Sequence, residues 1–102
     1  MADPEWPFDQ APNVAAITSR HITKEGRPIL LVTHYGDDHS WGFQSGDPVS
    51  TEDAQVVGMG TIFRLDSTLA QVADLEPGWS AERESVGGEW RRHEDHWEED
   101  EK

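Results

Sequence analysis

The sequence predicts an α+β fold, in which an antiparallel sheet of about five strands is built from hairpins and one or two helices pack on one face. Apolar and polar residues alternate in segments near both ends of the chain, whereas apolar residues recur at helical spacing between residues 59 and 75. The length of 102 residues fits one domain. We place this domain at residues 13–93, between an N-terminal arm (1–12) and an acidic tail (94–102).

The N-terminal segments predict an arm followed by a strand. Residues 1–12 contain three prolines and no periodicity, so we expect an extended arm. Trp6 and Phe8 in this arm either dock on the domain or belong to a free end. Weak alternation over residues 13–23 predicts the first strand.

A hairpin follows at residues 28–45. Residues 28–35 are apolar on both faces and rich in β-branched side chains, which is typical of a central strand. Residues 36–40 are turn formers, and Trp41 and Phe43 then alternate with small or polar residues. We expect residues 46–53 to form a second loop.

The helical segment begins near residue 59. We predict a short helix at 59–64 and a longer one at 67–75, with Asp66 as the N-cap of the second. Their apolar stripe is expected to cover the sheet face of Trp41 and Phe43, and its members are Ile62, Leu65, Leu69 and Val72.

Two more strands are predicted at residues 79–84 and 89–93. The Val-Gly-Gly run at 86–88 between them is typical of a hairpin turn. Either strand can form a sheet edge, and the sequence leaves open whether such an edge pairs with a second copy of the chain.

Acidic residues dominate the composition, with 21 Asp and Glu against 8 Lys and Arg and a net charge of −13. This charge argues against nucleic acid and anionic membranes as direct partners. It favours a basic protein partner through electrostatic steering, although solubility alone also explains it. The chain has no cysteine, so disulfides and thiolate metal sites are excluded. No secretion signal and no apolar run of membrane-spanning length is present, so we expect a cytoplasmic protein.

Several metal-ligating or acid–base residues lie close together at positions 34–39. A zinc site needs three or four converging ligands, and His34, Asp37 and His39 can meet at the mouth of the hairpin, with His21 approaching from a neighbouring strand. The spacing matches no known zinc motif, and the Gly-Asp-Asp run is typical of a turn. We therefore predict no metal, no cofactor and no catalytic residue here.

Arg83 is expected to play a structural role. It shares a strand face with Trp79 and Ala81, so its side chain is expected to be buried at least in part. A buried guanidinium needs carboxylate or carbonyl oxygens around it. Asp66 and Asp47 are the candidate partners, and binding of an external anionic group is the alternative.

The predicted partner-binding residues are acidic or lie among acids. Trp97 belongs to the charged tail, and we predict that it orders on a basic partner together with Glu98 and Glu99. A spectator tail is the alternative. Asp37 and Asp38 in the hairpin loop extend the same acidic surface.

Three segments carry a family resemblance. SWGFQSGDP (40–48) resembles a GW-x-F-x-SGDE element, LDSTLAQVADLEPGWSAER (65–83) resembles an aspartate-capped helix followed by Pro-Gly and a strand ending in Arg, and GGEWRR (87–92) resembles a closing strand with one Trp. Together with ITSRHITKEGRPILLV (17–32), they resemble the bacterial immunity-protein-33-like domain over about residues 14–93. Asp47-Pro48 departs from the family pattern, in which a second acidic residue is common.

The resemblance implies a small bacterial cytoplasmic protein without a catalytic residue or cofactor. Some members lie beside toxin genes, which implies that they bind and neutralise a toxin. We therefore predict a binding module, with an immunity role against a basic toxin as one form of it. The alternatives are a metal-dependent or hydrolytic enzyme centred on the His34–His39 hairpin, for which no catalytic motif is present, and a regulatory or structural subunit.

Deleting residues 94–102 is expected to leave the melting temperature almost unchanged, because the tail lies outside the predicted core. Thermal unfolding followed by circular dichroism measures this. Once a partner is in hand, an affinity that survives the deletion contradicts the binding role of Trp97.

Overall fold

The computed structural model describes residues 6–47 and 50–94, and a mixed β-sheet organises them. Two short α-helices, α1 (Arg20–Thr23) and α2 (Met59–Leu65), and two 3-10 helices, Thr51–Asp53 and Ser67–Val72, connect the strands. The α+β prediction is therefore confirmed. The six strands are β1 (Ala15–Ser19), β2 (Leu31–His34), β3 (Trp41–Gln44), β4 (Ala54–Gly58), β5 (Trp79–Glu82) and β6 (Arg91–Glu94).

The sheet order is β4-β1-β3-β2-β5-β6. The predicted hairpin of β2 and β3 is present, with Thr33 opposite Gly42, and β5 pairs antiparallel with both β2 and β6. The sheet is not purely antiparallel, because β3 inserts between β1 and β2 and runs parallel to β1, with Ile17 opposite Gly42. The expectation of about five antiparallel strands is thus only roughly right.

Two elements differ from the sequence prediction. The first strand ends at Ser19 and not at residue 23, because the chain turns into α1 and buries Ile22 in the core. Residues 54–58 form β4, a strand that the sequence did not predict, and β4 pairs antiparallel with β1. These five residues lead directly into α2, so their short strand pattern merges with the helical pattern that follows.

The helices cover one face of the sheet, as predicted. Trp41 and Phe43 are fully buried on that face, together with Ile62 from α2 and both Leu69 and Val72 from the second 3-10 helix. The assignment of Leu65 to the same stripe is wrong, since its side chain is 54% exposed. The core also contains Phe8, Ala16, Ile22, Ile29, Val32, Met59, Leu75 and Ala81.

The described part of the N-terminal arm docks on this core. Phe8 is only 7% exposed, and its ring meets those of Trp41 and Phe63 edge-on at centroid distances of 5.0 and 6.0 Å. The Trp6 indole N–H donates to the carbonyl of Gln10 at 2.7 Å. The described part of the arm is therefore docked on the core. Burial of aromatic side chains of this size stabilises the docked arm.

Asp66 begins the second helical segment, as predicted, but this segment is a 3-10 helix that ends at Val72. The Asp66 carboxylate accepts a hydrogen bond from the Thr68 backbone N–H at 2.9 Å. No helix within residues 6–47 and 50–94 has the length and apolar character needed to span a membrane.

Replacing Phe8 with Ala is expected to lower the free energy of unfolding by about 3 kcal/mol, because the change leaves a cavity between the arm and the sheet. Urea unfolding measures the change. Val86→Ala, at a side chain that is 53% exposed, is the control and should stay within about 0.5 kcal/mol of the wild type. Equal stabilities for the two variants would mean that the arm does not dock.

Candidate functional site

The polar loop of the hairpin points into water. Asp37, Asp38 and His39 are all exposed, and the Tyr35 N–H donates to the Ser40 carbonyl at 2.8 Å to close the turn. The Asp38 carboxylate accepts hydrogen bonds from the hydroxyl and the backbone N–H of Ser40 at 2.8 and 3.0 Å, which lower the pKa of Asp38. His39 adopts the left-handed conformation, with φ of +62°. Asp38 therefore stabilises the turn from within.

The His34 side chain is buried in the core, on the face of β2 that points away from solvent. Its ring stacks on Trp41 at a centroid distance of 4.0 Å, and its Nδ1–H donates to the Leu75 carbonyl at 2.7 Å. Its Nε2 lies 3.5 Å from a carboxylate oxygen of Asp9, whose other oxygen accepts from the Trp41 indole N–H at 3.0 Å. The Trp41–Asp9 hydrogen bond therefore fastens the N-terminal arm, whereas Nε2 of His34 is buried without a hydrogen-bond partner among the described residues.

The described part of the chain contains no set of side chains arranged to bind the metal ion considered above. The rings of His34 and His39 are 6.0 Å apart and meet edge-on, while Asp37 projects from the turn. His21 lies on α1, where Ser19 is its hydrogen-bonding neighbour. No three His, Asp or Glu side chains within residues 6–47 and 50–94 are grouped to share one ion.

Arg83 is buried as predicted, and Asp66 is its carboxylate partner. The guanidinium has no exposed surface, and its Nη2 donates to Asp66 Oδ2 at 2.6 Å. Two more bonds, from Nε and Nη2, reach the Ile29 carbonyl at 3.1 and 2.9 Å, and Nη1 donates to the Thr68 hydroxyl at 2.9 Å. The Trp90 ring covers the guanidinium at 4.2 Å. Asp47, the other candidate, binds Arg27 instead.

A groove of about 430 Å³ opens next to this arginine. Leu65 and Val86 line it and are 54% and 53% exposed, although large apolar side chains are normally buried. The groove is built where Arg83 fastens the loop before β2 to the start of the second 3-10 helix. The other lining residues are Ile22, Gly26, Arg27, Pro28, Ile29 and Asp66.

Charges of both signs lie at the groove. Of the lining residues, Asp66 is paired with Arg83 at 2.6 Å and Arg27 with Asp47 at 3.2 Å. The exposed Arg64 adjoins Leu65 in sequence, and Glu25, which adjoins Gly26, is paired with Arg20 at 3.4 Å. A depression with two exposed apolar side chains can receive an apolar side chain of a partner.

The sequence did not reveal this groove. Leu65 falls at core spacing and Val86 falls in a predicted turn, so the sequence pattern assigns neither residue to partner binding. The predicted binding residues Trp97, Glu98 and Glu99 lie outside the described residues. Asp37 and Asp38 are exposed in the hairpin loop, away from the groove lining.

No protein-family model, curated protein or solved structure matches the chain. The resemblance to the immunity-protein-33-like domain therefore stays a prediction from the sequence motifs.

Replacing Asp66 with Ala is expected to lower the free energy of unfolding by about 3 kcal/mol or more, because it leaves a buried guanidinium without its carboxylate and removes an N-cap. Asp74→Ala is the matched control. Its ion pair with Arg92 is well exposed, and its loss should cost less than about 1 kcal/mol. Denaturant unfolding of both variants measures the difference, and similar costs would contradict the structural role of Arg83.

Proposed function

We propose that this chain is a non-catalytic binding module for a basic protein, and that the groove between Leu65 and Val86 receives an apolar side chain of that partner. The observation that supports this is the pair of half-exposed apolar side chains, Leu65 and Val86, that line one groove. Most interface free energy comes from a few anchors that fill such depressions.

The groove is an open depression with room for an apolar side chain. Covering the exposed halves of Leu65 and Val86 would contribute about 1 kcal/mol each. On the Leu65 side the buried Arg83–Asp66 ion pair fixes the neighbouring backbone, which reduces the ordering required on binding.

The charge of the chain supports a basic partner. A net charge of −13 attracts cationic proteins over distances beyond direct contact and raises their association rate. This attraction acts through the net charge of the whole chain. Asp37 and Asp38 in the hairpin loop would form a second contact with the partner, separate from the groove.

An immunity role is the form of this function that the family resemblance favours. In this role the module works in the bacterial cytoplasm and neutralises a basic toxin by covering the surface that the toxin needs. The mechanism involves association alone. It requires no bond-breaking chemistry from this chain.

Ser19 and His21 are in contact, and the burial of Ser19 favours a structural role over a catalytic one. Ser19 Oγ lies 3.3 Å from His21 Nδ1, but Ser19 has no exposed surface from which to reach a substrate. A nucleophile needs both access and a base that a third group orients.

Affinity capture from bacterial lysate, followed by calorimetry with the purified partner, tests the proposal. The double variant Leu65→Ser/Val86→Ser is expected to lose the partner, with an affinity at least about tenfold weaker, because the anchor loses its apolar contacts. The matched control is Ile17→Ser/Val56→Ser, which changes the other exposed apolar pair and should bind as the wild type does.

The captured protein is expected to be basic, and its affinity should fall as salt concentration rises. A partner that binds the groove variant and the wild type equally well would contradict the proposed site. A partner whose affinity does not change with salt concentration would contradict the role of the net charge.

A further inference from the structure

Among residues 6–47 and 50–94, strand β4 is an edge of the sheet, and its sequence lacks the charges and prolines that normally protect an edge. Its sequence, Ala-Gln-Val-Val-Gly, contains no charge and no proline. The opposite edge, β6, carries Arg91, Arg92, His93 and Glu94. Charged residues on an edge discourage pairing with another chain, and their absence from β4 leaves it available for such pairing.

The hydrogen-bond pattern shows which backbone groups of β4 face outward. The Met59 N–H donates to the Val14 carbonyl at 2.9 Å, which makes Gly58 and Ala15 a non-hydrogen-bonded pair of the antiparallel ladder. Because such pairs alternate along a ladder, Val56 and Ala54 are also in non-hydrogen-bonded pairs with β1. The N–H and C=O groups of these residues therefore point away from β1.

Two of the six outward groups have partners within the chain. The Ala54 N–H donates to the Thr51 carbonyl at the end of the first 3-10 helix. Gly58 is the N-cap of α2, so its carbonyl accepts the first bond of that helix. The Ala54 carbonyl, both groups of Val56 and the Gly58 N–H have no backbone partner among residues 6–47 and 50–94.

These four groups are self-complementary about Val56. If a second β4 lies antiparallel with Val56 opposite Val56, the two valines exchange both of their bonds. Each Gly58 N–H then meets the Ala54 carbonyl of the other copy. A twofold axis at Val56 thus satisfies every one of the free groups, with none left over.

The side chains next to this seam are apolar. Val56 is 67% exposed and lies directly opposite Ile17, which is 37% exposed on the same face of the sheet. A second copy would bring another Val56 and Ile17 beside them. The four side chains would then form a continuous apolar strip across the joined sheets.

Charged side chains lie beyond both ends of β4. Glu52 is in the 3-10 helix before the strand and Arg64 is in α2 after it, and neither forms an ion pair within the described residues. The five residues of the strand itself carry no charge that would oppose pairing.

We propose that two copies of this chain associate through antiparallel pairing of their β4 strands about Val56, which joins their two sheets into one. The interface is small and both copies are acidic, so the dimer is a weak one that forms at high micromolar concentration. This inference is independent of the groove.

Sedimentation velocity of the full chain over a concentration series tests the proposal, and a reversible monomer–dimer equilibrium is expected. Val56→Pro removes the outward N–H from both copies while the ladder with β1 keeps its bonds, and it should weaken the dimer by about tenfold or more. Val56→Lys places two like charges at the axis and should have a similar effect. His93→Lys adds the same charge to the opposite edge and should change nothing.

Far-ultraviolet circular dichroism checks that each variant is folded. A chain that stays monomeric at all concentrations, or a dimer that survives both Val56 variants, overturns the proposal.

Discussion

A guanidinium with no exposed surface is the constraint on which the rest of this structure depends. Arg83 leaves water completely, and its charge is compensated by the Asp66 carboxylate, the Ile29 carbonyl and the Thr68 hydroxyl. Removing a charge from water without such partners would cost several kcal/mol. The chain around Arg83 is therefore held in the one arrangement that brings these oxygens together, with Trp90 closing over the cation.

The exposure of Leu65 follows from that constraint. Asp66 ends α2 and begins the next 3-10 helix, so its backbone is extended and its side chain turns inward to Arg83. The neighbouring Leu65 is left at the surface, where it borders a groove with Val86. An ion pair that stabilises the fold thus also shapes the surface that we propose for binding.

Local patterns in the sequence predicted the elements that local interactions determine. Alternation around Trp41 identified the hairpin, and the capping preference of Asp66 placed the second helical segment correctly. The burial of Arg83 followed from the strand face that it shares with Trp79. The cost of burying an unpaired cation predicted a carboxylate partner but left Asp66 and Asp47 both open, and the structure selects Asp66.

Contacts between distant segments decide the remaining features, and the sequence did not reveal them. The parallel pairing of β1 with β3 depends on β3 inserting between two earlier strands, for which alternation gives no information. The docking of Phe8 depends on rings from β3 and α2. The groove was missed for the same reason, because helical spacing placed Leu65 in the core.

Solvent exchange of the Arg83 side-chain Nε–H, observed by nitrogen-15 NMR, tests the central claim most directly. This hydrogen points at the Ile29 carbonyl and is shielded from water, so its exchange is expected to be far slower than that of Arg27, whose side chain is 52% exposed. Equal exchange rates for the two arginines would mean that the guanidinium is solvated and does not hold the groove in place.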